Sequence, residues 1–248
     1  MIQKVKGIVL HHVKYKESSA ILYIYTDQFG RQAYLVNSIR GRKTKFSSNL
    51  LQPLTLLDID AYYKEGKDLQ RLKEMRNYIP YRTIPFNHIK SSQVLFLAEV
   101  LYKVLREEEP NMELFEFLEH SLQLLDVSDD GMVNFHLIFL VQLTKFLGFY
   151  PENNFGGENT GFDMRNGQFS DGTGIHPDYF DRSSSVLLNK LLGTGFGKIM
   201  QISVNQDIRV KFLENMMDYY NIHIHGFGTL KSLSVLNEIY KEEDDYQT

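Results

Sequence analysis

The chain contains no cysteine. That excludes a disulfide framework and any thiolate metal site, and it fits a reducing compartment. No apolar run reaches the ~18 residues that a membrane-spanning helix needs. The longest helix-like run lies within Val133 to Leu147 and carries Gln142 and Lys145. The opening Met1-Ile2-Gln3-Lys4-Val5-Lys6 does not read as a signal peptide, because the apolar run that follows is short and broken by His11 and His12. The bulk of the chain has no low-complexity tract and no repeat at a solenoid period. These absences predict a soluble, cytoplasmic protein with no membrane association. With 248 residues and 43% hydrophobic content there is room for one large or two modest domains.

Catalytic signatures are also missing. Gly193-x-Gly195-x-Gly197 follows a predicted helix, whereas a dinucleotide fingerprint needs a strand before it and a helix opening on its last glycine. Asp171-Gly172-Thr173-Gly174 matches no phosphate loop, and both stretches read as turns. No serine sits in a nucleophile elbow. Asp58 and Asp60 are read as the wet face of a strand. His11 and His12, adjacent in a strand, point to opposite faces and cannot easily share a metal. His223 and His225 lack a third ligand nearby, so they read as exposed imidazoles at a helix end. The expectation is a protein that is not an enzyme and holds no metal or other cofactor.

Net charge is −4, which by itself argues against a nucleic-acid binder. Its distribution argues the other way. Residues 1–50 hold nine Lys/Arg against two acids, Glu17 and Asp27, a net of +7 that leaves −11 for the remainder. A basic module joined to an acidic body is the electrostatic footprint of nucleic-acid binding. The densest part is Asn37 to Phe46, where Arg40, Arg42, Lys43 and Lys45 fall within six positions with no acid between them. Gly41 permits a sharp turn there. A polyanion passing such a loop relieves its self-repulsion and releases counterions. The competing reading is a solvated loop that happens to be basic.

Local pattern predicts five strands before residue 80. They are Lys4 to Tyr15, Ala20 to Thr26, Gln32 to Val36, Pro53 to Tyr63 and Leu69 to Tyr78. In the second, both faces are apolar, as in a barrel strand that also packs on something outside. In the fourth, Leu57, Ile59, Ala61 and Tyr63 alternate with Asp58, Asp60 and Tyr62, so one face is buried and the other wet. Short strands with no room for crossover helices predict a five-stranded antiparallel barrel of the oligonucleotide/oligosaccharide-binding (OB-fold) type. Pro80 and Pro85 punctuate a boundary. Beyond it the period becomes helical: Val94, Leu97, Ala98, Leu101 and Leu105 form one stripe, and Phe115, Leu118, Leu122 and Leu125 a second. A third helix, to Leu147, is apolar nearly all round and should be central, with Gly148 as its C-cap. Residues 152–177 are Gly/Asn/Asp-rich without a period. Ser183 to Leu192, Asp207 to Tyr220 and Leu230 to Tyr240 read as helices, the first with serines as N-cap candidates. Glu242-Glu243-Asp244-Asp245 reads as a frayed acidic tail. The class is α+β: an OB-fold barrel at residues 1–82, then a mostly helical domain at 83–248 with an irregular insertion at 152–177.

Binding is the chemistry that remains. Lys14, Lys16, Arg31, Arg40, Arg42, Lys43 and Lys45 supply charge, and Tyr23, Tyr25, Phe29, Tyr34 and Phe46 are interleaved with them. A basic groove with aromatic faces holds single strands without sequence preference. Phe29 and Phe46 fall in predicted loops and are expected to be exposed for stacking. The tyrosines are left to the core.

Several stretches resemble the bacterial recombination mediator family RecO. They are Lys6-Gly7-Ile8-Val9-Leu10, Tyr15-Lys16-Glu17-Ser18-Ser19-Ala20-Ile21-Leu22, Thr26-x-x-x-Gly30, Gly41-Arg42-Lys43 and Leu51-Gln52-Pro53-Leu54. In the C-terminal half, Leu147-Gly148-Phe149-x-Pro151 and Leu230-Lys231-Ser232-Leu233 add to it. The resemblance implies a barrel followed by helices, and a DNA repair factor. It would bind single- and double-stranded DNA and anneal strands coated by single-strand-binding protein. It would act with RecR to load a recombinase, reaching the recombinase filament indirectly, and be nucleoid-associated. Many relatives carry a four-cysteine zinc site after the Leu-Gly-Phe-x-Pro segment. No cysteine is present here, so that segment must fold by packing and turns, or stay mobile. An alternative reading is a protein-interaction adaptor, in which the helical domain docks the acidic tail of single-strand-binding protein beside a cation such as Lys145 or Arg209. A third is a phosphohydrolase using His223 and His225.

Overall fold

A computed structural model describes residues 1–37, 46–128, 132–158, 160–171, 176–196, 198 and 202–247. The chain divides into two units, Met1–Val127 and Ser128–Thr248.

In the first unit, β1 (Ile2–Lys16), β2 (Ser19–Thr26), β3 (Gly30–Asn37), β4 (Leu56–Tyr62) and β5 (Leu69–Asn77) close into a barrel in the order β1-β2-β3-β5-β4. Neighbouring strands are antiparallel except β3 and β5. This is the OB-fold barrel that the strand spacing predicts. The alternation in β4 works as read: Leu57, Ile59 and Ala61 are buried, while Asp58 and Asp60 face outward in register with Lys6 and Lys4 of β1. Val9, Leu22, Ile24, Tyr34 and Val36 complete the interior. Gly7 is required where β1 crosses this core, since a Cβ there would lie 2.5 Å from Ile24 Cγ2 and 2.8 Å from the Ile59 side chain.

Two helices follow, α1 (His88–Val104) and α2 (Met112–Val127). The predicted stripe Val94, Leu97, Ala98, Leu101 and Leu105 is buried. Both helices are fastened to the barrel. Tyr78 donates its hydroxyl to Glu119 of α2, and Lys6 Nζ reaches the same carboxylate at 3.4 Å. One side chain takes several bonds from the chain between barrel and α1. The Asp126 carboxylate accepts the backbone amides of Arg82, Thr83 and Ile84 at 2.8–3.0 Å. Burial works to raise the Asp126 carboxyl, but these amides and Lys90 outweigh it and hold it below the ordinary 3.8. A depressed carboxylate stabilises the fold above its unfolded pKa, and that contribution is lost as pH falls through the folded value. Asp126→Asn is therefore expected to lower stability at neutral pH by about 1–3 kcal/mol. The gap from wild type should shrink below about pH 4. Urea titrations at several pH values check both statements, and a constant gap would refute the second.

In the second unit, α3 (Phe135–Leu147) follows a 3₁₀ turn at Met132–Asn134. Every residue from Phe135 to Val141 is buried, as its all-round apolar sequence requires. Gly148 ends it in the left-handed region, φ 84°. α4 (Arg182–Leu192), α5 (Gln206–His223) and α6 (Ser232–Gln247) complete the helices. The α4 cap is Asp181 rather than a serine: its carboxylate accepts Ser184 N and the Ser184 and Ser183 hydroxyls, which places the serines inside the first turn. Helix α6 continues through residues 242–245 to Gln247, where the sequence suggested fraying.

The aperiodic stretch is folded where it is described. β6 (Gly161–Asp163) and β7 (Gln168–Ser170) form a two-stranded ribbon. Phe162, Phe169 and Phe180 are buried, and the Phe162 ring centre lies 5.0–5.3 Å from those of Phe169, Phe180 and Tyr219. Asp163 ties the turn together by accepting the amides of Arg165 and Asn166, the Asn166 side chain and the Tyr179 hydroxyl. His223 is not a free imidazole. Its ring stacks on Phe149 at 5.0 Å, and its Nε2 lies 2.8 Å from the Met164 carbonyl.

Candidate nucleic-acid interface

The basic loop joins β3 to the chain before β4. Arg40, Arg42, Lys43 and Lys45 lie outside the described residues. Its two ends are fixed. Asn37 closes β3 and accepts a hydrogen bond from the Ser19 hydroxyl at 2.9 Å. Phe46, at the other end, is 4% exposed and belongs to the barrel core with Val5, Ile59 and Met75. This corrects the expectation that Phe46 is exposed: an apolar ring next to an open barrel end gains more by filling it. Phe29 is also no free platform. It packs against the same core and its ring stacks on Tyr63, 4.1 Å away at 12°.

The other predicted cations separate into two groups. Lys14 and Lys16 are exposed on the part of β1 that runs past β4 and pairs only with β2. The β1–β2 register shifts between them, from Lys14 opposite Ala20 to Lys16 opposite Ser19, so the strand is irregular where the two cations lie. Arg31 is turned inward instead. Its Nη1 donates to the Tyr102 and Leu105 carbonyls at the end of α1, at 3.0 and 3.2 Å. The guanidinium also lies over the rings of Tyr23 and Tyr102. Arg31 is a C-terminal cap for a helix that the local strand pattern could not reveal.

The sequence hinted that β2 packs on its outer side, and the structure bears this out at one end. Tyr25 faces Phe115 of α2, and Tyr23 and His11 face Tyr102 of α1. Burial lowers the His11 pKa, with a smaller contribution from neighbouring His12. At the other end no described helix ring faces the sheet. Val13, Ile21, Leu35 and Arg71 form one cross-strand row over β1, β2, β3 and β5. Val13 is 44% exposed, Tyr15 two residues on 52%, and Arg71 is exposed. Sequence reasoning did not single out Arg71, whose place beside the row follows from the parallel β3–β5 pairing. In barrels of this type the strand 2–3 face is the one that receives oligonucleotides. The opposite side is unsuited to a polyanion. A cleft of about 590 Å³ there sets Asp27, Asp58, Asp60 and Glu74 against Lys4, Lys6 and Arg76, and Arg76 is already paired with Asp58 at 2.8 Å.

In the second unit, Lys145 is exposed in the last turn of α3. Arg209 is 7% exposed and structural. It donates to Asn134 Oδ1 and the Val204 carbonyl, each at 3.1 Å, and lies over the Tyr240 ring. A different pair of cations borders an apolar cleft of about 660 Å³. Val186, Leu187, Val204 and Ile208 form its floor, with Arg182 and Lys190 at its rim. Arg182, Val186 and Lys190 are spaced i, i+4, i+8 along one face of α4. That spacing was the available signal in the sequence.

Comparison with known proteins covers both units. Residues 1–78 match the family model for the recombination protein O N terminal, and residues 87–234 that for its C terminal. The DNA repair protein RecO of Phocaeicola vulgatus is 39% identical over 240 residues, spanning 97% of this chain and all of the relative. That of Christiangramia forsetii is 40% identical over 242 residues, with the same coverage. That of Bacteroides fragilis is 37% identical over 241 residues.

Proposed function

The chain belongs to the RecO family of DNA repair proteins, and from that membership we propose a non-enzymatic recombination mediator whose barrel, residues 1–82, holds DNA. It binds single and double strands, anneals complementary strands, and with RecR helps to load recombinase on DNA coated by single-strand-binding protein. The observation that carries the barrel assignment is the +7 balance of residues 1–50. Annealing follows from the same charge: a basic surface screens repulsion between two strands while the duplex zips. Fluorescence anisotropy of labelled single-stranded DNA against salt tests this. Binding should weaken steeply with salt, and each phosphate contact removed should lower the slope by ~0.7. Absence of binding near physiological salt would refute the reading.

A second reading, docking of an acidic tail on the helical domain at residues 83–248, is supported by the cleft beside α4. An apolar floor with cations at its rim suits a short peptide that ends in apolar residues and carries carboxylates. Arg182→Glu with Lys190→Glu is expected to reduce affinity for such a peptide at least tenfold, about 1.4 kcal/mol, without changing DNA binding. An unchanged titration would remove the cleft from consideration.

A further inference from the structure

Phe86 is 87% exposed, in a chain that buries ten of its 17 phenylalanines. The exposure is not that of a loose loop. Phe86 ends the 3₁₀ turn Ile84–Phe86, and its amide donates to the Thr83 carbonyl at 3.0 Å. The three amides before it are gripped by Asp126. The Ser91 hydroxyl donates to the Ile84 carbonyl, and Lys90 Nζ to the Thr83 hydroxyl. The segment leading in is bonded to the barrel through Tyr78 N to Leu56 O and the Tyr81 hydroxyl to Leu54 O. The ring is thus displayed on a rigid pedestal fastened to the barrel. Holding an apolar ring in water this firmly gives the fold nothing.

The surroundings point to the ligand. From Met75 to Ala98 the sequence contains no Asp or Glu, although the chain holds 31 of them. The nearby carboxylate of Asp126 is occupied by backbone amides. Arg82, two residues before the same turn, is exposed, and its side chain has no hydrogen bond or ion pair among the described residues. His88 is exposed two residues beyond Phe86. Asn87 and His88 after the ring are polar and only the exposed Pro85 before it is apolar, so along the chain the ring has little of the rim that a protein hot spot carries. A rigid, exposed ring four residues from an exposed, unpaired arginine fits a nucleobase on the ring and a phosphate on the cation.

We infer that Phe86 is a base-stacking platform for single-stranded DNA, with Arg82 taking an adjacent phosphate. This rests on the DNA-binding reading above and adds a strand preference to it. Bases in a duplex are already stacked, so Phe86 acts only on single strands.

The chain has no tryptophan, so Phe86→Trp in the full-length protein places a single indole at the site. Its fluorescence should be quenched by an oligothymidylate and not by an abasic strand of equal length. Phe86→Ala should weaken single-strand binding by a factor between about 5 and 150, the range for one stacked base. Its salt slope and its duplex affinity should not change. Arg82→Gln should instead lower the single-strand salt slope by ~0.7. If wild-type protein binds single strands while the indole is unquenched and Phe86→Ala binds equally well, the platform is refuted and the mediator reading stands. Equal quenching by the abasic strand refutes stacking. If wild-type protein does not bind DNA at all, both fall together.

Discussion

Glutamate at Arg40, Arg42 and Lys43 together is expected to lower single-stranded DNA affinity near physiological salt by about two orders of magnitude or more, and to flatten the salt slope by about 2 units. Among the described residues, three cations of the basic segment are already engaged within the fold. Of the nine cations in residues 1–50, Lys6 is paired with Glu119, Lys4 stands in register with Asp60, and Arg31 caps α1. Lys14, Lys16 and the four loop cations are left for DNA. Three lost contacts at ~0.7 each account for the slope, and the new like charges add repulsion. Anisotropy across a salt series measures both quantities. Arg31→Met is the control: it should cost stability through the α1 end while leaving the salt slope alone. A triple variant that binds like wild type would move DNA away from the loop, toward Lys14, Lys16 and Arg71.

What was legible in the sequence was what depends on near neighbours. The period of two from Leu57 to Ala61 and the period of 3.6 from Val94 to Leu105 are imposed by strand and helix geometry, and both elements formed where the pattern lies. Gly148 as a C-cap was legible because only a left-handed residue ends a helix that way. Long-range packing hid the rest. In the sequence Phe46 reads as a loop ring, but its burial depends on the barrel core that receives it. Arg31 and Arg209 look like surface cations until the carbonyls that receive them, from α1 and from Val204, are in place. The α4 start offered several cap-competent residues in a row. Asp181 was selected because Phe180 just before it is pinned, its amide donating to the Phe162 carbonyl at 2.9 Å. Phe86 is the reverse case: nothing in its local sequence separates an exposed ring from a buried one, and the difference lies in the grip of Asp126 about forty residues later.

Phe162→Ala is expected to destabilise the second unit by about 3–5 kcal/mol. The family resemblance implied a zinc site just after Leu147-Gly148-Phe149, and a chain without cysteine must hold the same stretch by other means. Here it is held by rings. Phe162 touches Phe169, Phe180 and Tyr219, and Phe155 packs edge-on against Phe169. Tyr219 in turn donates its hydroxyl to the Phe149 carbonyl at 2.6 Å, and so ties the cluster to the end of α3. Removing Phe162 takes the central ring from this set and leaves a cavity that β6 and β7, three residues each, are too short to close. A metal chelator should leave the urea midpoint of wild type unchanged while Phe162→Ala shifts it. A shift with chelator, or a loss below about 1 kcal/mol in the variant, would show that the rings are not the support. The loss should also reach the cleft. Phe180 packs on Phe162 and directly precedes Asp181, which caps α4, accepts from Asn215 Nδ2 at 2.8 Å and lines the cleft. Loosening the ribbon therefore loosens the end of α4 that carries Arg182, and peptide affinity should fall even in the fraction of molecules that remains folded.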